Sequence, residues 1–376
     1  MLCLAVGYLI SNLLTNLRAA GLNISYDFLA EPAGYDINQR PIEYTSQSTH
    51  LRASIVGVLN TLIVAILACA TATVFGVIAG ILRLSKNWLV SKIMAIYVEV
   101  FRNVPVLIWI IIIFTIMTAA MPAPKAFRGA NAESSMLFEM FAFTNRGVYI
   151  PAPKFSNALF ENEFLNWVLV IVLLLVSYFC AKALRKKASA QQARTGQRPT
   201  TWHLSLAIWF IPVGALMVLM GLSFDYPALK GFNFKGGMQI RGSLIALWFA
   251  LAIYTGAFIA ENVRAGILSV SRGQTEAASA LGLRPNRIMN LVILPQALRV
   301  IIPPMISHYL NITKNSSLAI AVGYMDVTGT LGGITLNQTG RAIETILLLM
   351  VFYLTISLSI SAIMNVYNNS IKLKER

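Results

Sequence analysis

The sequence predicts an all-α integral membrane protein, a polytopic bundle of about eight transmembrane helices. Three observations carry this. Of 376 residues, 57% are hydrophobic and 12% charged, whereas soluble domains carry about a quarter charged residues. Eight nearly charge-free runs are each long enough to approach the roughly 20 residues that a hydrocarbon core about 30 Å thick requires. Positive charge is concentrated in alternate connections. Backbone groups cannot stay unpaired in lipid, and runs this long without alternation exclude a barrel, so the runs must be helices.

The first run, 1–17, lacks the basic start and small-residue cleavage site of a secretory signal and is expected to be retained. Runs 53–82 and 93–121 precede a connection, 122–163, far longer than an ordinary loop; its apolar and aromatic content predicts a folded cap. Runs 164–181 and 204–222 flank a segment, Ala188–Thr201, whose Gln, Ala, Arg and Gly content predicts a flexible tether. Runs 243–260, 303–323 and 342–367 complete the set, with Pro303 and Pro304 read as helix-start prolines. No internal repeat at fixed period is evident.

The net charge of +15 follows the same order. Segments 83–92, 182–203, 261–302 and 372–376 carry +3, +6, +3 and +2, whereas 18–52, 122–163, 223–241 and 324–341 carry −1, 0, +2 and 0. This positive-inside pattern places both termini in the cytoplasm. The basic run "KALRKKASAQQAR" has no interleaved aromatics, which argues for a membrane anchor and against nucleic acid. Cys3, Cys69 and Cys180 lie far apart within runs, and His50, His203 and His308 are scattered, so neither a metal site nor a cofactor is expected. No phosphate loop of the form Gly-x4-Gly-Lys-Ser/Thr occurs, and "FKGGMQIRG" lacks its spacing. A membrane enzyme would need titratable groups converging at one depth, so no catalytic residue is assigned.

Residues 276–295, "EAASALGLRPNRIMNLVILP", are unusually polar for the interior of this chain. Good helix formers run from Gln274 to Leu281 with Glu276 in the first turn, Gly282 supplies a stop, Pro285 opens a second helix, and Pro295 interrupts it before the membrane. The result is a compact helix–turn–helix within the cytoplasmic segment 261–302, with Ala277, Ala278 and Ala280 as a small-residue surface for a rigid partner. The competing reading is a helix lying in the lipid interface, but the first helix offers little large apolar surface to lipid.

This stretch resembles the EAA loop of permease subunits in bacterial ATP-binding-cassette (ABC) importers. Glu276, Ala277, Ala278, Gly282, Leu294 and Pro295 match the pattern, with Val292 at its Ile position. "YVEVFRNVPVLIWI" from Tyr97, "AENVRAGILSVSRGQTEAASALG" from Ala260, "LPQALRVIIPP" from Leu294 and "TKNSSLAIAVG" from Thr313 are similar to the polar-amino-acid branch of these permeases. With the long connection and additional runs, they resemble the larger permease subunit of the general L-amino-acid transport system.

The resemblance implies a type I ABC importer permease core over 52–370, an N-terminal helix and external loop over 1–51, and an insert over about 122–239 holding two extra helices. It implies a multi-pass protein of the bacterial inner membrane that translocates L-amino acids delivered by a periplasmic amino-acid-binding protein. A second permease subunit would complete the channel. A separate ABC ATPase subunit would bind ATP and Mg and couple through the EAA loop.

Intramembrane charge supplies the pathway candidates. An exposed lysine at mid-bilayer costs about 2.5–3.5 kcal/mol, so Lys314 should face protein or water. Neighbouring Asn315 and Ser316 suit a locally broken helix of the kind that holds substrates in transporters. Pairing of Lys314 with Glu99, Glu261 or Glu344 is the structural alternative. Glu99 and Arg102 share a helix face and are expected to form or share ion pairs near the inner interface. An ion-coupled secondary amino-acid transporter is the competing function; it calls for coupling-ion carboxylates within spans and a repeated half-structure.

Overall fold

The computed structural model describes residues 2–19, 24–128, 133–197 and 199–371. The start at Met1 and the basic end 372–376 lie outside them. Two compact units emerge, one formed by Met1–Ala120 with Arg241–Arg376, the other by Met121–Ile240.

The first unit contains α1 (Leu2–Ala19), α2 (His50–Arg83), α3 (Trp88–Asn103) and α4 (Val106–Ala120). Thr49 caps α2 by accepting the Arg52 N–H at 3.3 Å, and Asn87 caps α3 by accepting the Leu89 and Val90 N–H groups. The run 93–121, expected as one span, is two helices bent by 107°. Pro105 is the cause: it drives Val104 out of helical conformation to φ −108°, ψ 132°. Asn103 partly repairs the break by donating to the Glu99 carbonyl at 2.8 Å.

The second unit holds α5 (Glu163–Thr195) and α6 (Trp202–Leu219) together with short strands. Strands β1 (Ala142–Thr144) and β2 (Gly147–Ile150) form a hairpin around Asn145–Arg146, and β7 (Met238–Arg241) joins it in the order β1-β2-β7. Strand β3 (Ala152–Phe155) pairs antiparallel with β4 (Leu222–Asp225), and β5 (Ala228–Lys230) with β6 (Asn233–Lys235). Phe155, Val170, Val213 and Met220 form its buried core. These strands depart from the all-α expectation because three or four residues are too few for a periodic signal. The expected tether at Ala188 is helical as far as Thr195, where Gly196 at φ +73° ends α5; its Ala, Gln and Arg residues are good helix formers.

The chain then returns to the first unit through α7 (Gly242–Leu268), α8 (Arg272–Ala280), α9 (Pro285–Ile288), α10 (Leu294–Asn315), α11 (Leu336–Thr339) and α12 (Ala342–Ile371). Among the described residues six helices are long and apolar enough to cross a membrane, or seven if α3 and α4 count as one span. Seven of the eight expected runs correspond to these spans, with 93–121 as the bent pair. The first expected run, 1–17, is helical as α1.

Helix α7 is the axis of this unit. It is buried over 61% of its apolar window, whereas α12 is buried over none. Its most extensive contact is with α2. Gly76 and Gly80 of α2 face Gly256 and Ala260 of α7, two small residues four apart on each helix. A Cβ at Gly80 would lie 2.6 Å from the Ala260 carbonyl oxygen, and one at Gly76 would lie 2.9 Å from that of Gly256. Residues 24–49 fold over the start of α2, where Ala33, Ile37 and Tyr44 pack on Ala53 and Val56. Asn60 ties three segments together by donating to the carbonyls of Gln39 and Met325 at 3.0 and 2.8 Å.

Gly80→Ala should therefore lower the unfolding temperature in detergent by an amount equivalent to about 1–3 kcal/mol of overpacking. Gly214→Ala on α6, whose Cβ would meet nothing within 4 Å, should leave it unchanged or slightly raised. Equal effects in the two variants would contradict the close α2–α7 contact.

Candidate functional site

Helices α8 and α9 form an elbow. Ser271 occupies the N-cap of α8, so Glu276 falls mid-helix and not in the first turn as expected. Gly282 ends the helix at φ +74°, where its N–H donates to the Ser279 carbonyl at 2.9 Å. A Cβ there would meet nothing within 4 Å. Glycine is required at this position for its left-handed backbone, not for space. Pro285 sits in the first turn of α9. Ala278 and Ile288 are buried where α8 packs on α9, so Ala278 turns inward while Glu276, Ala277 and Ala280 stay exposed. Leu281, at the tip of the elbow, is 81% exposed.

Pro295 does not break the chain as expected. A π-helical turn over Met289–Ile293 precedes it, and Pro295 lies in the first turn of α10. The wider turn resets the hydrogen-bond ladder where the proline has no N–H to contribute. Residues Pro285–Val322 consequently form one continuous helical span of 38 residues. Pro303 and Pro304 lie inside α10, not at its start. The second arm of the elbow, α9, and the membrane helix are one rod.

The base of the elbow is an ionic cluster. Glu261 on α7 accepts from Arg83 at the end of α2 and from Arg264 at 2.7 Å. Arg83 also lies 3.7 Å from Glu99 on α3. One arginine thus joins three helices just ahead of α8. Glu99 and Arg102 do not pair with each other: the Arg102 guanidinium stands 5.2 Å over the Phe258 ring. Nearby, Asn262 and His308 are hydrogen-bonded at 2.8 Å, linking α7 to α10.

Lys314 forms no ion pair among the described residues. Its expected partners are engaged elsewhere, Glu99 and Glu261 with Arg83, and Glu344 with the Ser25 N–H and with Arg341. Ser307, Asn311 and Lys314 form an exposed polar stripe along α10 at spacings of four and three residues. The helix changes from α to 3-10 at Ser316, whose buried hydroxyl donates to the Thr313 carbonyl at 2.7 Å, and Gly323 closes the turn at φ +67°. Asn315 is half-buried beside it.

The sequence of this chain is similar to those of known proteins. The profile described as "Binding-protein-dependent transport system inner membrane component" covers residues 199–373. The chain is 52% identical, over 98% of its length and 90% of the relative, to "Glutamate/glutamine/aspartate/asparagine transport system permease protein BztB" of Rhodobacter capsulatus. The chain belongs to this family of transport permeases. The permease is also 43% identical to "Putative amino-acid ABC transporter permease protein YhdX" of Escherichia coli, over 99% of its length and 91% of the relative. To "General L-amino acid transport system permease protein AapQ" of Rhizobium johnstonii it is 40% identical, over 99% of its length and 89% of the relative. It is an inner-membrane, multi-pass, non-catalytic component of an ABC transport system, and the ATPase is separate.

The permease's ion cluster escaped sequence reasoning because Arg83 and Glu261 are 178 positions apart. The only signal was that each stands at the polar end of an apolar run. Glu261→Gln should lower the unfolding temperature by an amount equivalent to up to about 3 kcal/mol, because it leaves a largely buried Arg83 with only the more distant carboxylate of Glu99. Arg264→Gln, which leaves the Arg83–Glu261 pair in place, should cost less. Thermal melts of the two purified variants check the order.

Proposed function

We propose that this permease carries L-amino acids, delivered by a periplasmic binding protein, through a channel completed by a second permease subunit. An ABC ATPase drives it through residues 272–295. Both termini face the cytoplasm, as the charge asymmetry of the loops favours. On this reading the core of residues 52–370 carries transport, and residues 122–239 are an insertion into it.

The observation that carries the coupling role is the elbow's form. A rigid turn presents Glu276, Ala277, Gly282 and an exposed Leu281, and it runs without interruption through Leu294 and Pro295 into α10. A protrusion of this kind fits a cleft on a soluble subunit and passes its displacement to a membrane helix. Ala278 acts from within, as the small residue that lets α8 close on α9. Switching between inward- and outward-open states needs two packed arrangements of similar energy, and the broken α3–α4 pair is a place for such a change.

The polar stripe of α10 supports an amino-acid path. Lys314, without an ion-pair partner among the described residues, offers a cation to a substrate carboxylate, Asn315 and Asn311 offer amide groups, and Ser316 shapes the 3-10 turn that presents them. Arg102, held over Phe258, is a second cation toward the inner end, and Glu99 acts through Arg83. The names of the relatives support glutamate, glutamine, aspartate, asparagine or a broader L-amino-acid range as cargo.

With the ATPase, second permease and binding protein reconstituted together, Gly282→Trp should retain ATP hydrolysis and lose at least about tenfold in uptake, the scale of a lost 1.4 kcal/mol coupling. Normal uptake by an assembled Gly282→Trp complex would refute the coupling role. Lys314→Gln should raise the substrate concentration for half-maximal uptake by about tenfold or more, as loss of a charge-assisted hydrogen bond does, while ATP hydrolysis in the absence of substrate stays unchanged.

A further inference from the structure

The basic end of the α5–α6 hairpin has no role in the reading above. Between Phe164 and Phe224 the chain contains no aspartate or glutamate, yet it carries Lys182, Arg185, Lys186, Lys187 and Arg194 on α5. Lys182, Arg185 and Lys186 lie three and four residues apart, so they crowd one helix face, an arrangement of like charges that destabilises a helix unless an anion offsets it. Among the described residues none of these cations has an ion-pair partner.

A cavity of about 380 Å³ opens at this place, lined by Arg185, Pro199, Thr200, Thr201 and Trp202. Arg185 is held across the hairpin, its Nε donating at 3.5 Å to the hydroxyl of buried Ser205 on α6. That bond uses one guanidinium donor and leaves the Nη groups uncommitted among the described residues. Thr201 occupies the N-cap of α6 yet makes no side-chain cap bond, so its hydroxyl, too, is uncommitted among the described residues.

Depth identifies the occupant. The apolar part of α5 ends near Ala181, and Arg185 follows one turn later, about 6 Å along the axis. Trp202, at the wall of the cavity, is 61% exposed, an indole at the level where aromatic side chains meet headgroups. A guanidinium, two threonine hydroxyls and an interfacial indole, surrounded by uncompensated lysines, are the chemistry that holds a phosphate diester with an acyl chain leading away. We propose that this cavity binds the headgroup of an acidic phospholipid, and that Arg185 is its principal phosphate ligand.

The test uses the full-length chain in vesicles of neutral lipid containing brominated phosphatidylglycerol or brominated phosphatidylcholine. Quenching of the Trp202 emission is obtained as the difference between the wild type and Trp202→Phe. The expected result is half-maximal quenching at a severalfold lower mole fraction of phosphatidylglycerol than of phosphatidylcholine. Arg185→Gln should abolish that preference, Thr201→Val should reduce it, and Arg194→Gln, a turn or more beyond the cavity, should retain it.

Equal quenching by the two lipids in the wild type would overturn the proposal. Equal losses in Arg185→Gln and Arg194→Gln would do the same, because they would reveal a diffuse cationic surface. Displacement of the lipid signal by millimolar inorganic phosphate would assign the cavity to a free anion instead. Size-exclusion profiles confirm that each variant is folded, and the Thr201→Val arm decides the matter should Arg185→Gln fail to fold.

Discussion

The close approach of α2 to α7 is the constraint on which the rest of the first unit depends. Lipid tails are as apolar as leucine, so burial of apolar surface does not drive helices together within a membrane, and van der Waals contact between small residues takes over. Gly76 and Gly80 remove the side chains that would hold the two backbones apart, leaving the Gly256 and Ala260 carbonyls within contact of α2. With that seam closed, α7 becomes the buried axis, and α3 and α10 find positions against it. The Tyr97 hydroxyl on α3 donates to the Ile253 carbonyl at 2.6 Å. Ile301 packs against Gly266, where a Cβ would lie 2.4 Å from its side chain.

The polar interactions follow from this geometry. Arg83 reaches Glu261 only because α2 and α7 run close together as far as their polar ends, and the same carboxylate is then shared with Arg264. Ion pairs of partly buried groups are costly to assemble and costly to break, so they specify which helix ends meet more than they add to stability. Here they mark the point where the membrane helices give way to the elbow of α8 and α9. Past the turn at Gly282 the chain is one helical span from Pro285 to Val322, so no loop separates α9 from α10.

Prolines and glycines take their structural meaning from context, which can lie beyond their immediate neighbours. Pro105 breaks a run that looked continuous, because the residue before it cannot remain helical. Pro295, Pro303 and Pro304 looked like boundaries but lie within a continuous rod, because a π-helical turn accommodates the missing N–H and neighbouring segments support the rest. Gly282 was legible as a helix stop from its place after Ser279, Ala280 and Leu281, since that function is local. Gly80 was not legible as a contact, since its meaning lies in Ala260, 180 positions later.

The sequence by itself determined the helical membrane class, the sites of most spans and the turn at Gly282, because hydropathy, charge and backbone permissiveness act over a few residues. It also carries the Glu-Ala-Ala motif at Glu276–Ala278 with Gly282 and Pro295 at their spacings. Only the tertiary structure decided that Glu99 turns to Arg83 while Arg102 covers Phe258, that Ala278 faces inward, and that Lys314 has no ion-pair partner among the described residues. Which charge meets which is set by distances between helices, and those distances arise from side-chain volumes on segments far apart in the chain.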